Sequence, residues 1–262
     1  MSGTLNSATE AGRMTTDSNQ PPISENFINE AYQTRLLLRE TKPLNRKRVA
    51  LNIGAFTAQE VIPLASEGWD LHIFEANPEN YAKLVENVGR SKHQSNIHTY
   101  NMAIALGDET STTFYVSNQF PGIGSLRKWH ETHEPIEVPA ISLPNFCRSN
   151  GISAIDYVLI DAETMDLPIM MSHDWQNVPV GACTIEYGQV TVEEIYDAIM
   201  DKCPRYKNQI FEYHRFGNNR FWKPGQTGGL RCVLQSDMAS RREREDAGQY
   251  RGMTGNILFY ME

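Results

Sequence analysis

Apolar positions along the chain fall into two kinds of run. Short unbroken runs, such as Val49-Ala50-Leu51-Asn52-Ile53 and Ile155-Asp156-Tyr157-Val158-Leu159-Ile160, read as strands buried on both faces. Longer stretches in which apolar residues return every three or four positions read as helices. The first strand is followed by a turn at Gly54 and a helical segment to Gly68, with Val61, Leu64 and Ala65 inward and Pro63 bending it. A second strand over 70–74 closes on Glu75. Asn77 then stands as an N-cap with Pro78 at the first helical position, and Tyr81, Leu84, Val85 and Val88 form the stripe of an amphipathic helix. A third strand is predicted over 97–104, further strands over 112–117 and 136–141 around a glycine-punctuated loop at 120–126, and a short helix over 143–150 that Gly151 ends. The strand at 155–160, a helix through Leu167, Ile169 and Met170, a fifth core strand at 183–187 and a helix marked by Val192, Ile195, Tyr196 and Ile199 complete the alternation. Strand and helix in turn predict an α/β fold with a mostly parallel sheet and helices on both faces. The C-terminal part reads as antiparallel: 209–215 and 220–223 flank the turn signal Phe216-Gly217-Asn218-Asn219, and 256–261 is a final strand.

The segment before the first strand divides in two. Residues 1–22 are rich in Ser, Thr, Asn and Gly without periodicity and are expected to be a disordered tail. From Ser24, the positions Phe27, Ile28, Ala31, Tyr32, Leu36 and Leu37 predict a helix within 23–44, ended before Pro43. It either packs one stripe on the domain or serves as a lid. Residues 45–262 form the α/β domain.

A strand, a glycine turn, a helix and a second strand ending in a carboxylate about 20 residues later is how doubly wound folds hold a nucleoside: glycine admits the ligand against the backbone and the carboxylate accepts from ribose hydroxyls. The turn Gly54-Ala55-Phe56-Thr57-Ala58-Gln59 is not G-x-G-x-x-G, and Phe56 stands where a pyrophosphate needs close backbone approach. NAD therefore falls behind S-adenosylmethionine, which carries no phosphate. At the end of the strand over 155–160, Asp161 and Glu163 are two apart, so a continued extended backbone would bring both carboxylates to one side. Asp161 would bind a methionine ammonium or orient an acceptor hydroxyl, and Glu163 would be a base or a holder of Asp161. The alternative is that one of them caps the following helix. His130 and His133 fit one helix face; without a third ligand they suit substrate contact or proton transfer, and no metal site is expected.

With 262 residues the chain is long enough for one α/β domain with a sizeable core. A net charge of −8 disfavours nucleic acid or an anionic membrane as the main partner and makes small molecules or proteins the expected substrates. The four cysteines show no C-x-x-C spacing, which fits a reducing cytoplasm, and neither a secretory signal nor an apolar run of about 18 residues is visible.

Four blocks, in order, resemble the FkbM family of S-adenosylmethionine-dependent methyltransferases: Leu51-Asn52-Ile53-Gly54-Ala55; Ile73-Phe74-Glu75-Ala76-Asn77-Pro78-Glu79-Asn80; Ala103-Ile104-Ala105-Leu106-Gly107-Asp108; and 155–163 with its I-D-x-E. The resemblance spans roughly 46–189. It implies a Rossmann-like class I methyltransferase with a seven-stranded, mostly parallel sheet and an antiparallel C-terminal strand. It also implies S-adenosyl-L-methionine as cofactor, held by Asn52, Gly54, Ala55 and Phe56 at the turn, Glu75 and Ala76 at the ribose, Asn101, Met102 and Ala103 beside the adenine, Ser125 in the glycine-punctuated loop, and Asp161. Asp161, Glu163 and His130 are the candidate catalytic residues. The activity implied is O-methylation of a hydroxyl on a sugar, polyketide or other secondary metabolite, with a homodimer left open. Asn52 stands where the family usually has Asp, and Thr57-Ala58 where it has a second glycine, which keeps in view a cofactor-binding protein without turnover; another nucleotide enzyme such as a dehydrogenase is a separate alternative.

Overall fold

The computed structural model describes residues 45–187, the helical positions Ala198 and Asp201, and three further strands. The tail over 1–22, the helix within 23–44, most of the helix marked by Val192 to Ile199 and the arm at 220–223 lie outside the described residues. The strands are β1 Val49–Ile53, β2 Asp70–Phe74, β3 Ile97–Tyr100, β4 Ala103–Ala105, β5 Ser111–Val116, β6 Glu134–Ser142, β7 Ile155–Ile160, β8 Val180–Tyr187, β9 Glu212–Arg215, β10 Leu230–Gln235 and β11 Gly255–Met261. The α-helices are α1 Ile62–Ala65, α2 Pro78–Gly89, α3 Leu143–Ser149 and α4 Asp166–Ser172.

Among these residues the main sheet has the order β3-β2-β1-β7-β8-β11-β10-β9, and only β11 runs antiparallel to its neighbours. It holds eight strands where seven were expected. The added strand is β9, which pairs in parallel with β10 at the edge of the described sheet; the arm at 220–223 expected to pair with it lies outside the described residues.

The two faces of the sheet are covered separately, as a parallel sheet requires. Leu51, Ile53, Val158 and Ile160 pack with Phe146 of α3 and Ile169 and Met170 of α4. Ala50, Ile73, Tyr157 and Leu159 pack with Leu64 of α1 and Leu84 and Val88 of α2. This is the Rossmann-like class I arrangement.

Three local expectations are corrected by tertiary contacts. The helix after Gly54 shrinks to α1, because Phe56 and Ala58 adopt left-handed φ values of 48° and 57° that no α-helix accommodates. The strand expected over 97–104 breaks at Asn101, whose amide donates to the Glu75 and Ala76 carbonyls; β3 stays in the main sheet and β4 joins a second sheet of order β4-β6-β5. On α2, Asn77 caps as expected by accepting from the Glu79 N–H, yet the buried line is Asn80, Leu84 and Val88, with Val85 exposed. An asparagine thus occupies a core-facing position at the i, i+4, i+8 spacing.

Candidate functional site

β1, β2 and β7 end side by side, and their C-terminal ends open into a cleft with an empty volume of about 540 Å³, its open mouth included. Gly54 forms one edge. Its φ is +78°, and a Cβ there would stand 1.7 Å from the Asp161 carbonyl oxygen, so only glycine lets the turn after β1 pass the end of β7. Asp161 is tied to the same place by its N–H, which donates to the Ile53 carbonyl at 2.9 Å.

Glu75 is 5% exposed and closes the second edge. One carboxylate oxygen accepts from the Phe56 N–H at 2.7 Å and the other from the Asn77 N–H at 2.8 Å. Each oxygen retains a second lone pair for a ligand. Burial pushes the carboxyl up to about 7, against the pull of its two N–H donors. Phe56, 41% exposed, projects at the cleft, and Ala76, Met102, Ala103 and Asp161 also line it.

The loop between β5 and β6 crosses the cleft with Pro121, Gly122, Gly124 and Leu126 against it. Ser125 is its anchor: its hydroxyl donates to the Glu163 carbonyl at 2.6 Å, and its backbone bridges to Tyr115. Ser125 therefore shapes the wall and is not itself among the residues lining the cleft.

Three expectations about side-chain placement are corrected. The extended backbone stops at Ile160, and Glu163 and Thr164 take left-handed φ values of 43° and 75°; Glu163 does not line the cleft with Asp161. The buried Asp166 drives this turn by accepting from the Ala162 N–H at 3.2 Å, and no side chain caps α4. Residues 129–133 form no helix; His130 sits in a turn, its Nδ1 bonded to the Thr132 hydroxyl at 2.9 Å and its ring edge-on to Phe120. Asn52 is buried between Ile73 and Leu159 on the face of the sheet opposite Leu51 and Ile53, and it does not line the cleft. Sequence reasoning passed over Asn80, which lines the cleft and is 3% exposed. The signal was there: it is the polar residue on the buried line of α2.

Residues 49–218 match the methyltransferase FkbM domain. The chain belongs to the FkbM methyltransferase family. The family's cofactor is S-adenosylmethionine, and the residues present fit it: a glycine turn without side-chain obstruction, a buried carboxylate with unused lone pairs, and a buried amide oxygen facing no protein donor among the described residues. No curated protein matches this FkbM-family chain in sequence. Similar solved structures include a SAM-dependent methyltransferase from Agrobacterium tumefaciens at 10% identity, covering 90% of this chain and 62% of that one with a TM-score of 0.45. An O-methyltransferase from Bacillus cereus in complex with SAH is similar at 9% identity, over 91% of this chain and 84% of that one, with a TM-score of 0.45. A precorrin-6y C5,15-methyltransferase from Geobacter metallireducens is similar at 12% identity, over 91% and 92%, with a TM-score of 0.43. Membership of the FkbM family rests on the sequence match alone. Among the described residues no helix is long and apolar enough to cross a membrane.

Proposed function

We propose that this FkbM-family protein transfers a methyl group to a hydroxyl of a small molecule. The observation that carries the reading is the convergence of Gly54, Glu75 and Asp161 on one cleft at the C-terminal ends of β1, β2 and β7, where open α/β sheets bind ligands. S-adenosylmethionine, when bound, supplies a methyl group already electrophilic on its sulfonium. Glu75 accepts from the ribose hydroxyls, Gly54, Ala55 and Phe56 give the backbone approach, and Asp161 holds the methionine ammonium or orients the acceptor hydroxyl. Met102 and Ala103 supply the wall beside the adenine, Asn101 does not line the cleft but braces the end of β2 through the Glu75 and Ala76 carbonyls, and Ser125 keeps the opposite loop in place through the Glu163 carbonyl.

Positioning is the larger part of the task. Holding two reactants in near-attack geometry supplies roughly 7–11 kcal/mol in favourable intramolecular cases, whereas a general base contributes about 10²–10⁴-fold. The exposed Phe56 at the cleft and the exposed Phe120 beside Pro121 favour an acceptor with an apolar face, and the net charge of −8 opposes a polyanionic one. Calorimetric titration with S-adenosylmethionine, S-adenosylhomocysteine and NAD tests the reading. Saturable binding of the first two alone is expected; binding of NAD, or of none, would overturn it.

A further inference from the structure

Asn80 has one half of its amide occupied and the other unsatisfied. Its Nδ2 donates to the Pro121 carbonyl at 2.8 Å, across 41 residues of sequence. A carbonyl only accepts, so this bond fixes which end of the amide is nitrogen and leaves Oδ1 as the remaining group. Oδ1 is buried with no hydrogen-bond partner among the described residues, in a side chain that lines the cleft. A buried carbonyl oxygen left unpaired has given up its hydration without a bond in return, so its place is explained by a donor that arrives from outside the chain.

The geometry points to Asn80 as a specificity residue that accepts a hydrogen bond from the adenine 6-amino group of the cofactor while its other end holds the Pro121 loop across the cleft. The inference rests on the S-adenosylmethionine reading of the cleft and extends it to a residue outside the expected set. The cofactor carries three kinds of donor: ribose hydroxyls, a methionine ammonium and the adenine amino group. Glu75 and Asp161 already serve the first two in this reading, which leaves the adenine amino group as the donor for the neutral amide oxygen of Asn80. Asn80 lies five residues beyond Glu75, in the first turn of α2, and lines the same cleft as Ala76 and Ala103. The Pro121 contact also joins ligand and loop. Elsewhere the loop is held by Ser125 and by His133, whose Nε2 donates to the Ile123 carbonyl at 2.9 Å; Asn80 is what ties its Pro121 tip to the sheet domain.

The test combines two ligands and two proteins. S-adenosylhomocysteine is compared with its analogue bearing hydrogen in place of the 6-amino group, by calorimetry on the wild type and on Asn80→Ala, with amide hydrogen exchange of residues 119–124 read in parallel. The wild type is expected to bind the deamino analogue about tenfold more weakly, the size of one buried hydrogen bond. Asn80→Ala is expected to bind both ligands alike, and the loop protection that S-adenosylhomocysteine brings to the wild type is expected to be lost. Equal binding of the two ligands by the wild type overturns the assignment without needing the variant to fold, and undiminished discrimination in Asn80→Ala hands the amino group to another acceptor. Failure of the wild type to bind either ligand would instead remove the cofactor reading beneath it.

Discussion

The carboxylate of Glu75 accepts the N–H of Phe56 at 2.7 Å, with Phe56 held at a φ of 48°. The residue proposed to take the ribose therefore also holds the turn that the cofactor must pass. Glu75→Ala should lower S-adenosylhomocysteine affinity by at least about tenfold and loosen the turn, while Glu75→Gln, which still accepts one hydrogen bond, should lose less. Titration calorimetry with hydrogen exchange at 55–58 separates the two effects. Unchanged affinity in a folded Glu75→Ala protein would remove the ribose assignment.

The same carboxyl gives a pH dependence whose sign follows from its environment. Burial raises it from 4.5 to about 7, so its contribution to stability is fully present below 4.5 and is lost as the pH rises through about 7. The loss between about pH 5 and 8 is on the order of 3 kcal/mol. His72, pushed down to about 4 by burial, works in the opposite direction between about 4 and 6.5. Comparing melting curves of wild type and Glu75→Gln isolates the glutamate, since His72 is common to both; parallel curves across the range would contradict the assignment. Cofactor affinity should rise between about pH 6 and 8, because ribose hydroxyls donate best to the ionised form.

Gly54→Ala should abolish the native fold or cost at least about 3 kcal/mol, because the new Cβ would meet backbone atoms of Asp161 and Ala162 at a positive φ. Neither backbone can swing aside as a flexible side chain would. Circular dichroism melting decides the matter, and a variant melting within a degree or two of wild type would mean the turn is placed wrongly.

Asp156, buried in β7, accepts from both terminal nitrogens of Arg46, at 2.6 and 3.1 Å, and from the Val49 N–H at 2.8 Å. It fastens the start of β1 to the centre of the sheet. Asp156→Ala should cost about 2–3 kcal/mol in denaturant unfolding with cofactor affinity little changed below the transition. A cost under about 0.5 kcal/mol would make the contact a surface ornament.

Glu163 holds Ser125 through its carbonyl, and its carboxylate does not line the cleft. Glu163→Gln should leave cofactor binding intact and slow methyl transfer by less than about tenfold. A fall of 10²-fold or more, the range of a general base, would restore a catalytic role for it.

The chain itself, read without coordinates, determined the unit from β1 through Gly54 to β2 and Glu75, the cap at Asn77, the strand β7 and the α/β class. Each of these depends on periodicity or on neighbours within one turn or strand, and such information is local. Tertiary structure alone decided the rest. The need for glycine at Gly54 comes from Asp161, which arrives on a strand from the far half of the chain. The split of the third strand comes from an amide that finds carbonyls at the end of β2. Glu163 parts from Asp161 because two left-handed residues and the Asp166 side chain replace an extended backbone. Asn80 entered the sequence reading only as the end of the 73–80 block, and the fold put it on the buried line with Leu84 and Val88. Which polar atoms end up buried and short of a partner is a property of the packed molecule, because it depends on every group that comes near them and fails to donate.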